Sequence, residues 1–247
     1  MRSGYAGYAG QAVSATTGAT ATSVLAAGVG VRRGWCLRRV GSAWALRSAS
    51  FRLDGPVAGA AAFGIAIGRP GSATAIVDLL AGLARPAYGE LRVLGEDLTT
   101  SRGRSAVRGQ VGVARRVARP QPAFRVRGLV EHAARLARTP RRVRDPLAAA
   151  IVDRLSLTPW ADVPMRSAPD VICRRARLAA AAVHQPDLLL IDGLLDDLCP
   201  RDTAALADAI RDLGTDMTIV ATGRDSSALA LACGEVLTMT DGILVRP

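Results

Sequence analysis

Lysine is absent from this chain of 247 residues, so all 32 basic positions are arginine. Phosphate chemistry that relies on a compact ammonium must here be carried by guanidinium groups or go without. Aromatic residues make up only 4% of the chain, which leaves few stacking platforms for single-stranded nucleic acid. The four cysteines, Cys36, Cys173, Cys199 and Cys233, stand far apart with no C-x-x-C pair. That spacing indicates neither a cysteine zinc site nor a disulfide framework, and it fits a reducing cytoplasm. No apolar run approaches the roughly 18 to 20 residues that cross a bilayer. The longest, Val57 to Ile67, is short and rich in Ala and Gly.

Apolar material is nevertheless plentiful, at 49% of residues with a mean hydropathy of +0.21. The length suits one sizeable α/β domain or two small ones. The net charge of +11 is concentrated between residues 101 and 144, where thirteen arginines face one acid, Glu131. Such a stretch suits nucleic acid, anionic lipid or an acidic partner, or it is a solvated helical face of an arginine-rich protein. Residues 1–36 are expected to form a flexible leader of Gly, Ala, Ser and Thr, without a clustered basic start or a cleavage site.

Beyond the leader, Trp44 to Leu53 and the turn Asp54-Gly55-Pro56 read as a strand pair entering the domain. The run from Ala61 to Ile67 reads as a buried strand, Gly68 to Ser72 as a glycine loop, and Ala73 to Leu83 as a helix. On that helix Ile76, Leu79, Leu80 and Leu83 share a face. A hairpin around Tyr88 to Gly95 and a basic mixed segment follow, then helices at Val126 to Ala137, Ala148 to Leu155 and Ile172 to Val183. The apolar strand Leu188 to Ile191 ends in Asp192. A helix at Thr203 to Leu213, a strand at Thr218 to Ala221, a last helix and a hairpin over Val236 to Val245 complete the chain. Alternating strands and helices argue for a mostly parallel sheet with helices on both faces.

Taken in this order, the segments resemble the nucleotide-binding domain of ABC transporters, a P-loop ATPase, over about residues 37–247. Leu79-Leu80-Ala81-Gly82-Leu83 is similar to the family's helix ending, and Gly89 to Leu98 to its G-x-v-x-v-x-G-x-d-l hairpin. His184-Gln185-Pro186-Asp187 followed by Leu188 to Asp192 is similar to its Walker B approach, and Asp197-Leu198-Cys199-Pro200 to its D-loop. The resemblance implies an α/β, P-loop NTPase core with a mostly parallel sheet flanked by helices, an antiparallel β part and a helical insertion at about 115–180.

A Walker A loop uses glycine N–H groups to cradle phosphates, a Lys to neutralise them and a Ser or Thr to hold Mg²⁺. The place falls on Gly68, Arg69, Pro70, Gly71, Ser72, Ala73, Thr74 and Ala75. Counted from Gly68, Thr74 stands at the Lys and Ala75 at the hydroxyl. Counted back from the helix ending, Ala73 stands at the Lys and Thr74 at the hydroxyl. Neither register supplies a lysine, and the bland reading is a plain strand-to-helix turn. Asp192 stands where the family holds Mg²⁺, or it is a loop cap. Gly193 takes the place of the glutamate that polarises water. Arg116 falls at the Q-loop glutamine and Arg224 at the switch histidine, where they hold phosphate or make ordinary salt bridges, Arg224 with Asp225 or Asp192. The trans signature falls on Ala168 to Ile172, which keeps neither glycine and adds Asp170.

No catalytic group of the family is intact on this reading. The resemblance implies a degenerate ATP-binding subunit with ATP and Mg²⁺ as cofactors, held weakly or not at all, and little or no hydrolysis. The implied partners are a membrane permease subunit and a second nucleotide-binding domain, in a homo- or heterodimer, at the cytoplasmic face of the membrane. Two alternatives stand beside it. One is an active ATPase with relocated groups, Arg224 or Arg69 on the γ-phosphate and Asp196 or Asp197 as base. The other, ranked last, is a basic nucleic-acid-binding protein.

Overall fold

A computed structural model describes residues 22–32, 44–54, 62–67, 72–116, 124–240 and 243–245. Its main sheet has six strands: β3 (Ala62–Ile67), β6 (Val111–Arg115), β7 (Leu188–Asp192), β8 (Thr218–Gly223), β9 (Glu235–Thr240) and β10 (Ile243–Val245). They lie in the order β10-β9-β3-β8-β7-β6 and are parallel except for the terminal β9–β10 hairpin. The second sheet is antiparallel, with β1 (Thr22–Arg32), β2 (Trp44–Asp54), β4 (Tyr88–Val93) and β5 (Glu96–Asp97) in the order β2-β1-β4-β5. This is the mostly parallel α/β architecture with an antiparallel part that the sequence implies.

Side-chain alternation along the parallel strands divides the core in two. Leu188, Leu190 and Val220 pack with Ile65 and Ile67 against Ile76, Leu79 and Leu80 of helix α1 (Ser72–Leu80), with Val24, Leu91 and Val93 of the antiparallel sheet joining them. Leu189, Ile191, Ile219 and Ala221 point to the other face. There they meet α5 (Asp170–Ala182), α6 (Pro200–Leu213) and α7 (Ser226–Ala232) through Leu178, Leu206, Ile210 and Leu229. Each fully buried Leu or Ile contributes roughly 1.5–3 kcal/mol. Helices α3 (Val126–Leu136), α4 (Arg141–Arg154) and α5 occupy the stretch expected as a helical insertion.

Four local features differ from the sequence reading. Strand β1 lies within the stretch expected to be a leader. It pairs with β2 and β4 and buries Val24, Ala26 and Val29, small residues whose strand signal is diluted by intervening Gly and Ala. The turn Asp54-Gly55-Pro56 continues outside the described residues. Helix α1 stops at Leu80, because Gly82 and Leu83 N–H groups turn back to the Leu79 and Asp78 carbonyls at 3.0 and 2.8 Å. Leu83 is therefore 55% exposed and leaves the apolar face.

The basic mixed segment resolves into α2 (Ser101–Arg108), capped by the Thr100 hydroxyl accepting from Gly103 N–H at 3.0 Å, and strand β6. Gly112 interrupts the apolar signal of β6 for a steric reason: a Cβ there would lie 2.2 Å from the Ala181 carbonyl oxygen of α5. Helix α4 begins at Arg141, seven residues ahead of the expected Ala148.

Candidate nucleotide site at the carboxyl edge of the sheet

The parallel register sets the ends of β6, β7, β8 and β3 side by side, through the pairs Arg115 with Asp192, Asp192 with Thr222 and Ala66 with Gly223. Ligands of open α/β sheets bind outside this carboxyl edge. Four residues singled out from the sequence, Thr74, Arg116, Asp192 and Arg224, converge there although they are scattered over the chain.

Asp192 occupies the centre. Thr74, in the first turn of α1, donates its hydroxyl to Asp192 Oδ2 at 2.9 Å. The buried Thr222 hydroxyl donates to the Ile191 carbonyl at 3.2 Å and stands 3.5 Å from Asp192 Oδ1. A hydroxyl from the start of α1 thus meets a carboxylate from the end of β7. Both are hard oxygen donors of the kind Mg²⁺ accepts. Gly68, Arg69, Pro70 and Gly71 lie outside the described residues, and Ser72 opens α1. Among the described residues, no group of three or more His, Cys, Asp or Glu side chains is arranged to hold a metal by itself.

The segment after Asp192 departs from a simple loop. Gly193 has φ +67°, a backbone conformation that costs other residues roughly 1–2 kcal/mol. Its N–H donates to the Thr222 carbonyl at 2.9 Å, and a Cβ added to it would meet Asp196 Oδ2 at 3.2 Å. The Asp196 carboxylate thus lies against the position where a side chain is missing. It is 12% exposed, accepts from the Arg224 N–H at 2.8 Å and faces the Arg224 Nε at 3.4 Å. Asp197 pairs with the guanidinium groups of both Arg116 and Arg224, and these two hold its carboxyl below the usual carboxylate range. Asp197 in turn raises the Arg224 pKa.

Arg224 therefore pairs with Asp196 and Asp197, not with Asp225 or Asp192 as the sequence reading offered. Asp225 instead caps α7, accepting from Ser227 and Ala228 N–H groups at 2.8 and 3.3 Å. A chain of alternating charges, Arg116, Asp197, Arg224 and Asp196, links the ends of β6, β7 and β8. Beside it opens a cleft of about 790 Å³ whose lining includes Asp196, Asp197, Arg224 and Leu231.

Sequence reasoning missed one structural member of this edge. Arg174 is 3% exposed and donates to Asp170 Oδ2, to the Leu194 carbonyl at 2.8 Å and to the Asp196 carbonyl. It ties the start of α5 to the segment carrying Asp196. The i, i+4 spacing of Asp170 and Arg174 was the available signal. Asp170 begins α5 and is held by this partner, which sets a carboxylate at the helix start.

No family model matches the chain. It is 31% identical over 213 residues to the methionine import ATP-binding protein MetN 2 of Burkholderia mallei (strain ATCC 23344), covering 83% of this chain and 52% of that protein. It is 30% identical over 191 residues to the methionine import ATP-binding protein MetN of Xanthomonas campestris pv. campestris (strain 8004), covering 74% and 56%. The fold superposes on cbiO1 from Clostridium perfringens, part of the ABC transporter complex cbiONQ, with a TM-score of 0.75 and 15% identity over 91% of this chain and 87% of that one. The chain belongs to the ABC-type ATP-binding domains of the P-loop NTPases. It spans about half the length of the MetN relatives it matches. Within this ABC-type domain, none of the described helices is long and apolar enough to cross a membrane.

Proposed function

We propose that this ABC-type domain is the ATP-binding subunit of a transport complex, with weakened nucleotide binding and little or no hydrolysis. One observation carries the reading: the Thr74–Asp192 contact is kept while the positions beside it carry Ala73 and Gly193. Thr74 and Asp192 are the residues that would hold Mg²⁺, directly or through water, and backbone N–H groups from Gly68 to Ala75 would cradle the phosphates. Bound there, Mg²⁺ would supply charge neutralisation for the phosphates.

What the chain itself lacks follows from its residues. Ala73 offers no cation, and Gly193 offers no carboxylate to orient water. The loss of one preorganised charge-stabilising group typically costs about 2.7–4 kcal/mol of barrier, about a hundred- to thousand-fold in rate. Two such losses in one site are not additive, yet either alone is enough. Arg116 and Arg224 are engaged by Asp197, so neither guanidinium is idle at the mouth of the site.

One observation favours the relocated-base alternative: Asp196 lies against the vacant side-chain position at Gly193. Its carboxylate is, however, already engaged by the Arg224 N–H and guanidinium. The subunit works in this reading as a structural or regulatory member of its complex. It docks on a membrane permease at the cytoplasmic face and pairs with a second nucleotide-binding domain.

Calorimetric titration of the purified chain with ATP, with and without Mg²⁺, alongside phosphate-release kinetics, tests the proposal. The expected result is weak, Mg²⁺-dependent binding that Asp192→Ala removes, and turnover far below the median of about 10 s⁻¹ for enzymes. Turnover of about 1 s⁻¹ or faster, abolished by Asp192→Ala, overturns it.

A further inference from the structure

Helices α3 and α4 meet at a corner, residues 135–144, with five arginines and no acid: Arg135, Arg138, Arg141, Arg142 and Arg144. The turn is held by Ala137 and Thr139 N–H groups donating to the Ala133 and Ala134 carbonyls at 2.9 and 3.1 Å. Arg144 folds back onto the Thr139 carbonyl at 3.0 Å. The other four arginines are exposed, and among the described residues none of them has an ion-pair partner. Six arginines elsewhere, Arg115, Arg116, Arg154, Arg174, Arg211 and Arg224, are by contrast each paired with an aspartate.

Among these unneutralised cations stand two apolar side chains, Leu136 at 71% exposure and Val143 at 39%. The buried stripe of α3 is Val126, Val130 and Ala134, so Leu136 is not part of the face that the fold covers. Helix α4 also opens with arginines and no acid in its first turn, against the sense of its own macrodipole. An anionic surface relieves that repulsion.

We propose that this corner docks on an anionic phospholipid bilayer. Guanidinium groups meet the headgroup phosphates, and Leu136 and Val143 enter the boundary between headgroups and acyl chains. Nucleic acid offers the same phosphates, but its backbone gives Leu136 no apolar surface, and the corner has no aromatic ring to stack on bases. The charge surplus read from the sequence thereby acquires a location and an occupant.

Sedimentation of the full chain with vesicles tests the assignment, using phosphatidylcholine alone or mixed with phosphatidylserine, at low and high salt. Binding is expected only to the anionic vesicles, falling as salt rises. The triple variant Arg138→Gln, Arg141→Gln, Arg142→Gln weakens it roughly fivefold per arginine, about a hundredfold in all. A control with the same charge loss at exposed positions elsewhere, Arg85→Gln, Arg102→Gln, Arg201→Gln, weakens it by less than about tenfold. Leu136→Ser weakens binding several-fold at unchanged charge, and the thermal melt of every variant verifies its fold. Equal losses in the two triple variants, undiminished binding by Leu136→Ser, or retention of a DNA duplex without vesicle binding overturns the proposal.

Discussion

Replacing Gly193 by glutamate supplies the carboxylate that the proposed function finds missing beside Asp192, and the structure argues that the carboxylate alone will not help. The backbone at 193 has φ +67°, so any side chain there costs roughly 1–2 kcal/mol before its contacts are considered. The new Cβ lies 3.2 Å from Asp196 Oδ2, and Asp196 is held by Arg224, so the crowding is not relieved by a free rotation. The added charge also joins Asp192, Asp196 and Asp197 at one edge. At about 2–4 °C per kcal/mol for a chain of this size, the backbone strain alone lowers Tm by about 2–8 °C, which is the fall expected of Gly193→Ala. Gly193→Glu, which adds the charge to the strain, is expected to fall further. Differential scanning calorimetry of the three proteins, paired with phosphate-release assays, reads both quantities. Phosphate release from Gly193→Glu should stay at the parent level. A Gly193→Glu protein that melts with its parent and hydrolyses ATP tenfold faster or more would refute the reasoning.

Three further outcomes follow from the same geometry. Thr74→Val removes the hydroxyl from Asp192 and should weaken Mg²⁺-dependent ATP binding about fivefold, on the order of 1 kcal/mol, leaving Mg²⁺-free binding unchanged in the same calorimetric titration. Arg174→Met leaves the Leu194 carbonyl without its donor and should cost about 2–4 kcal/mol in urea unfolding, with an unchanged slope; a loss below about 0.5 kcal/mol would show that the buried guanidinium is dispensable. The Asp197 carboxyl titrates below its ordinary value because Arg116 and Arg224 stabilise its anion. Its contribution to stability is therefore complete above the unfolded pKa of about 4 and is lost as pH falls through the lower folded value. Asp197→Asn should accordingly narrow the difference between Tm at pH 5 and at pH 2, whereas an unchanged difference would remove this pair from the acid response.

Legibility in the sequence tracked the range of the interactions. The strand Ala62–Ile67, the helix after it and the strand ending in Asp192 announced themselves because a buried parallel strand is a continuous apolar run and a helix has its own period. Strand β6 did not, since the approach of α5 demands glycine at 112 and so removes a β-former from the signal. Strand β1 hid among Gly and Ala because its pairing with β2 and β4, not side-chain bulk, holds it in the sheet. Asp170 and Arg174 were within reach of a helical spacing argument.

The absence of lysine, the glycine after Asp192 and the order of apolar segments were settled by the sequence alone, since a missing functional group cannot be supplied by folding. Which arginine meets which aspartate was not, because Arg116 and Asp197 are 81 residues apart and Arg224 and Asp197 are 27 apart. Only the parallel register, which brings the ends of β6, β7 and β8 to one edge, decides that Asp197 takes both guanidiniums and that Thr74 meets Asp192.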